Sequence, residues 1–259
     1  MPFLSQAFFP SICDWVVTEK KQFSKSELEE LKRASVIYCR SDLLIWFLRE
    51  FSSLPKDKTI VSGGSDEEFF EKLEEFDAVR RLFLQNSHVS DSDQIFTLPI
   101  GIEDISLGLN GFPSLLKPRK AGGLSKLLVG PLSPTHAVRA QMLEELVSSE
   151  VIHLQKKLIT PSRYSRLARK YAAIACPRGN GEDTHRLWET LYRNTYPILL
   201  ENSWSLSLKI YELPIFFVKE WNQREMERVL KEENFSEFDS KKLLPLWSDY
   251  WRKLIRTQN

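Results

Sequence analysis

Cysteine is scarce. Cys13, Cys39 and Cys176 are three in 259 residues, too few and too widely spaced for a disulfide framework or a zinc knuckle. A reducing compartment is the simpler expectation. No stretch approaches the roughly 18 to 20 consecutive apolar residues that a membrane-spanning helix needs. The opening MPFLSQAFFPSICDWVV is apolar but has no basic n-region, contains Pro10 and reaches Asp14 early, so it reads poorly as a signal peptide. An excess of one charge is also missing. With 36 basic and 35 acidic residues the net charge is +1, so no global field marks a nucleic acid as the partner, and any basic site must be local. Internal repeats and low-complexity tracts are absent. The expectation is a cytoplasmic protein, with peripheral contact at a membrane surface as its only membrane association.

What is present fits a globular chain: 42% hydrophobic, 27% charged and 12% aromatic residues, too aromatic for disorder. The length allows one large domain or two of roughly 110 to 140 residues. Ser24 to Arg33 predicts a helix with Glu27 at capping-box spacing from Ser24. Then come strands at Ala34 to Cys39, Lys58 to Val61, Val79 to Gln85 and Gln94 to Pro99, with helical patterns at LLIWFLREF and at Glu67 to Phe76. Strands alternating with helices predict a parallel sheet covered on both faces. Polar, glycine- and proline-bearing sequence from Glu103 to Gly123 reads as a linker, dividing the chain into lobes 1–115 and 116–259. Beyond it the alternation resumes: strand Lys126 to Val129, helix Thr135 to Ser148, short strand Val151 to His153, helix Pro161 to Arg169, then strands Tyr196 to Leu200 and Pro214 to Val218. The C-terminal helical piece puts Leu246, Trp247, Tyr250, Trp251 and Leu254 on one face, a packing stripe.

One stretch carries chemistry, Tyr171 to Pro197. An apolar run, Tyr171 to Cys176, breaks at Pro177 and passes through Arg178-Gly179-Asn180-Gly181 into a helix expected from Glu182 or Asp183. A strand, a glycine loop and a helix aim backbone N–H groups and the positive end of a helix dipole at one spot, and Arg178 adds a full charge there. On that helix Glu182, His185, Arg186 and Glu189 share one face, opposite Leu187, Trp188, Leu191 and Tyr192. An ordinary amphipathic surface helix would show the same pattern.

These residues carry a resemblance. Cys176-Pro177-Arg178-Gly179, the run Asn180 to Tyr192, Tyr196-Pro197-Ile198, and Leu213-Pro214-Ile215 through Trp221 resemble the donor-binding lobe of exostosin-like glycosyltransferases over about 50 residues. Weaker similarity reaches back to Leu98–Glu103, Gln85-Asn86 and Asp66. The chain departs from the family at Asn194-Thr195-Tyr196, where a glycine-containing turn is usual; Asn194 can adopt the left-handed conformation that ends a helix. The resemblance implies a GT-B-like α/β fold, two Rossmann-like lobes with a cleft between them and C-terminal helices. It also implies a nucleotide-sugar donor, a UDP-sugar in the first instance, bound in the C-terminal lobe, and a glycan or glycolipid acceptor. Arg178, the amides of Gly179, Asn180 and Gly181, and His185 or Arg186 would hold the diphosphate, with no metal required. Glu189 would accept hydrogen bonds from the ribose hydroxyls.

An inverting transferase needs a general base from the N-terminal lobe. Asp66, after a glycine turn that follows a strand, and Glu103 at the hinge are the chosen candidates, with Asp104 and His88 as competitors. Asp91-Ser92-Asp93 spells a cation-binding DxD, but it lies in a polar loop and not at the end of an apolar strand. Cys176 ends a buried run with no histidine paired nearby in sequence, and reads as structural. Two rivals share this fold expectation: a nucleotide-sugar epimerase, and a non-catalytic nucleotide- or partner-binding protein.

Overall fold

The computed structural model describes residues 2–54, 56–89, 93–107, 111–119, 124–233 and 235–257. The first half of the chain forms a five-stranded sheet from β1 (Trp15–Val17), β2 (Val36–Arg40), β3 (Thr59–Gly63), β4 (Arg81–Leu84) and β5 (Ile95–Thr97), all parallel and laid side by side in sequence order. Right-handed crossovers that always step in one direction place every connection on the same face. That face carries α2 (Lys25–Arg33) and α3 (Leu44–Glu50), whose Leu31, Leu44, Phe47 and Leu48 pack on Ile37, Cys39, Ile60, Leu82 and Leu84. The alternate residues Val36, Tyr38, Val61 and Phe83 point the other way, as the two-residue period of a strand requires.

Both faces of the first sheet are covered, as expected, but only one of them by the helices that connect its strands. The second face of the first sheet is covered by elements from the ends of the chain. The short helix α1 (Phe8–Ser11) and the last helix, α9 (Ser248–Arg256), meet through Phe9 and Trp251, rings 6.1 Å apart. Tyr211 also packs on Trp251 and donates its hydroxyl to the Thr97 carbonyl at 2.6 Å. Arg81, at the start of β4, donates to the carbonyls of Leu254, Ile255 and Thr257, which satisfies part of the open C-terminal end of α9. The C-terminal helix, assigned by sequence to the second lobe, therefore packs on the first.

The second sheet holds β6 (Leu124–Val129), β7 (Ile152–Leu154), β8 (Tyr171–Ala175), β9 (Tyr196–Leu200) and β10 (Phe216–Val218) in the order β10-β9-β8-β6-β7, again all parallel. Here the winding reverses after β7. Accordingly α4 (Ala137–Glu145) and α8 (Gln223–Glu232) bury Met142, Met226 and Val229 on one face. On the other face α5 (Pro161–Ala168), α6 (His185–Tyr192) and α7 (Ser203–Ser207) bury Tyr164, Trp188, Tyr192 and Trp204. The inner faces of both sheets feed one continuous apolar cluster, from Leu4 and Phe83 to Ile174, Trp188 and Trp251.

Two local expectations fail for tertiary reasons. Glu67 to Phe76 is not a helix: Phe69 bridges Ser87 beside β4, and only a 3-10 turn, Glu74–Ala78, forms. Helix α6 starts at His185, with Glu182 and Asp183 left in the preceding loop, and it is buried from Leu187 to Tyr192, so it presents no solvent face. Asn194 does take the left-handed conformation, at φ 56°, and its Oδ1 accepts from the Ser240 N–H. Among the described residues no helix is long and apolar enough to cross a membrane.

Because Trp251 joins α9 to the first sheet's otherwise bare face, Trp251→Ala is expected to destabilise the whole chain by about 3–5 kcal/mol in urea unfolding. A loss under about 1 kcal/mol would show that α9 is dispensable to that face.

Candidate functional site at the seam of the two sheets

In an open α/β sheet ligands bind beyond the carboxyl ends of the strands, where the winding direction reverses. In the second sheet that point lies between β6 and β8. The β6 end turns at Gly130, whose φ of 82° and close approach to the Gln155 carbonyl leave no room for a side chain. The β8 end runs into Cys176–Thr184, the loop that the sequence singles out.

Arg139, one turn into α4, crosses from the first of these strand ends to the second. Its Nε donates to the Arg178 carbonyl at 2.7 Å and its Nη2 to the Pro177 carbonyl at 3.3 Å, while Nη1 reaches the Ser133 carbonyl at 3.2 Å. Arg186, in the first turn of α6, donates to the Pro131 carbonyl at 2.6 Å and lies 5.0 Å over the Tyr164 ring. Its Nη1 is buried without a hydrogen-bond partner among the described residues. Neither arginine pairs with a carboxylate among the described residues. Burial first, and then the neighbouring Arg186 charge, lowers the Arg139 guanidinium to about 10. A Cβ on Gly179 would stand 3.1 Å from Arg139 Nη2 and 3.4 Å from Thr135 Oγ1, so the missing side chain lets the guanidinium pack closely on the glycine loop. Sequence reasoning missed Arg139 and Thr135. The available signal was their position just after β6, the partner strand of the glycine loop.

Arg178 is placed differently from the expectation. It points across the seam into the first half, where Nη1 and Nη2 engage both oxygens of Glu68, and Nη1 also donates to Glu182 Oε1 at 2.8 Å. Nη2 closes the loop on the Asn180 carbonyl at 3.0 Å. Glu68 also faces His88, with Oε2 at 3.6 Å from Nε2. Glu68, two residues beyond the expected Asp66, is thus the carboxylate that the β3 loop delivers to the seam; Asp66 itself is exposed. Glu103 is half-buried at the start of the linker.

Most of the remaining candidates are turned to internal contacts in this structure. Gly179 N–H donates to the Gly181 carbonyl at 3.0 Å, so that amide holds the turn, and Gly181 is buried against the Asn86 side chain. Asn180 is exposed. His185 Nδ1 donates to the Gly101 carbonyl at 2.9 Å. Glu189 is only 6% exposed and takes Arg193 Nη1 at 3.3 Å, one turn along the helix. It is an internal ion-pair partner rather than an open acceptor for ribose. Burial raises the Cys176 thiol to about 12, which removes it as a nucleophile at neutral pH. Of the DxD, Asp91 and Ser92 lie outside the described residues.

Asp183 ties the seam together. Its Oδ2 accepts from Ile100 N–H at 2.7 Å and its Oδ1 from Trp188 Nε1 at 2.7 Å, while its own N–H donates to Asn86 Oδ1 at 2.8 Å. Two of these partners come from the first half of the chain, and the left-handed Asn86, φ 53°, is held at the junction by them.

No protein-family model matches the chain, and no curated protein matches it in sequence.

Burial raises the Asp183 carboxyl to about 7, although N–H groups of Ile100, Trp188 and Thr184 pull it down. An unfolded aspartate titrates near 3.9, so between the two values the native chain holds the extra proton. Its stabilising contribution is therefore fullest below about 4 and is lost as pH rises through about 7. Urea unfolding across pH 4 to 8 is expected to show this decline in the native protein and not in Asp183→Asn. Parallel pH profiles for the two would remove Asp183 as its source.

Proposed function

We propose that the protein is a GT-B type glycosyltransferase that moves a sugar from a nucleotide diphosphate, in the first instance a UDP-sugar, to a glycan or lipid-linked glycan. The observation that carries the proposal is the pair Arg139 and Arg186, two guanidinium groups without carboxylate partners among the described residues, at the reversal point of a doubly wound sheet. Keeping two neighbouring cations partly desolvated is costly unless an anion shares the site. A diphosphate fits that requirement, since its oxygens can accept from both guanidinium groups.

In the transfer the bond between the anomeric carbon and the β-phosphate oxygen breaks, and an acceptor hydroxyl oxygen bonds to the anomeric carbon. The hydroxyl proton passes to a base, and negative charge builds on the departing diphosphate. Arg139 and Arg186 stand where they would offset that charge without a metal ion in the step. Arg178 is a reserve cation in the same loop, available to the phosphates once its fork leaves Glu68. The base would come from the first half. Asp66, which is exposed, is the first candidate, Glu103 is the second, and Glu68 is committed to Arg178.

The non-catalytic binding protein draws on one observation of its own: Arg178 is already neutralised by Glu68 and Glu182, and Glu189 is sealed inside. Both readings require nucleotide binding and differ in turnover.

Titration calorimetry with UDP, GDP, CMP and dTDP, and with their sugars, is expected to find one binding nucleotide whose affinity falls at least tenfold in Arg139→Ala and in Arg186→Ala. Melting of the unliganded variants, recorded alongside, separates lost binding from lost folding. No binding of any nucleotide to the native protein, or unchanged affinity in both variants, would contradict the assignment. Slow hydrolysis of the bound donor, weakened in Asp66→Asn with binding retained, supports the transferase; binding without any hydrolysis or transfer supports the binding protein.

A further inference from the structure

We propose that Glu68, His88 and Glu182 form a site for one divalent transition-metal cation, zinc-like in preference, that clips the two halves of the molecule at the seam. One ligand atom from each residue lies within 4.8 Å of the other two. Around a tetrahedral ion with N and O ligands at roughly 2.0–2.2 Å, neighbouring ligand atoms stand about 3.4 Å apart. The three side chains need to draw in by little more than about 1 Å, which side-chain torsions supply without moving the backbone.

His88 supplies the independent sign of a missing ligand. Its side chain is 10% exposed, and its Nε2 is buried with no hydrogen-bond partner among the described residues while facing Glu68 Oε2. The ring is held on two sides. Nδ1 lies 3.0 Å from Ser203 Oγ, and the Phe70 ring stacks on the imidazole at 4.6 Å and 15°. With Nδ1–H donating to Ser203, the lone pair sits on Nε2 and points into the cluster, the arrangement found when a second partner fixes the tautomer of a metal-binding histidine. The other Glu182 oxygen, Oε2, accepts from Asn202 Nδ2 at 3.2 Å, so this ligand is oriented as well. Phe70, at 69% exposed, lays its ring over the imidazole and shields that side of it from water.

Arg178 is the competing cation. Its strongest contact with Glu68 is through Oε1, whereas Oε2 receives only the longer 3.4 Å bond from Nη1. A metal ion can take Glu68 Oε2 and leave Oε1 on the arginine, while Glu182 Oε1 has to exchange its 2.8 Å bond from Arg178 Nη1 for the ion. Two carboxylates and one guanidinium leave a net charge of −1, so a divalent ion changes the cluster to +1 and loosens the hold on Arg178. An imidazole and two carboxylates form a borderline donor set that zinc accepts and that magnesium, which keeps its waters and prefers oxygen, does not favour. The site rests on its own geometry, not on nucleotide binding, and is tested with no nucleotide present.

Metal-stripped protein titrated with ZnCl2 is expected to bind one ion and melt higher, while MgCl2 at the same concentrations has little effect. His88→Gln keeps a polar partner for Ser203 and is expected to weaken zinc at least tenfold with unliganded melting little changed; Glu182→Gln is expected to weaken zinc as much, with a lower unliganded melting temperature because it also loses its ion pair with Arg178. CoCl2, as a spectroscopic probe, is expected to give visible ligand-field bands without the ultraviolet charge-transfer band of a thiolate. Saturable binding that is absent up to millimolar zinc, equal in His88→Gln, or accompanied by a thiolate band would overturn the site.

Discussion

A parallel sheet wound always in one direction has helices of its own on one face only, and this chain has to cover the other face from elsewhere. Everything at the junction follows from that constraint. The first sheet turns Val36, Tyr38, Val61 and Phe83 toward the second half, and α9 returns across the molecule to lie against them, anchored by Trp251 and received by Arg81. The two halves therefore share a core instead of meeting across a wet gap, and their strand ends are brought to one seam. Burial on this scale, at roughly 25 cal/mol per Å² of apolar surface, outweighs what the few polar links across the seam contribute.

The polar residues at the seam then sort by partner. Asp183 and Asn86 are spent on structure: each hydrogen-bonds backbone across the junction, and burial keeps Asp183 near neutral. Arg178 with Glu68 and Glu182 forms a nearly balanced cluster that holds the glycine loop against the first half. Arg139 and Arg186 are unlike these, since they fix backbone carbonyls and carry charge that no side chain offsets among the described residues. That imbalance, at the reversal point of the second sheet, is the strongest physical pointer to an anionic ligand.

Much of the fold was legible in the sequence because local signals and tertiary context agreed. The Ser24–Glu27 capping box, the short β-branched strands and the glycine loop after Ala175 all formed where their patterns indicate. Contacts distant in sequence were not legible. Glu67 to Phe76 has a helical composition, but Phe69 gains more by bridging to Ser87 beside β4. Glu189 sits on what a helical wheel shows as a polar face, yet it is buried and paired with Arg193, which in turn lies over the Tyr164 ring. The turn after β3 does bring a carboxylate to the seam, but it is Glu68, two residues beyond Asp66, that reaches Arg178. Arg139 lacked a motif around it, and only the strand order β10-β9-β8-β6-β7 reveals that its helix starts beside the glycine loop.

The most direct test is a crystal structure with UDP, or with whichever nucleoside diphosphate binds. The account predicts the diphosphate between the carboxyl ends of β6 and β8, with its oxygens on the Arg139 and Arg186 guanidinium groups and against Gly179. A diphosphate seated elsewhere, for example in the groove formed by Lys209, Lys219 and Arg228, with Arg139 and Arg186 untouched, would contradict it.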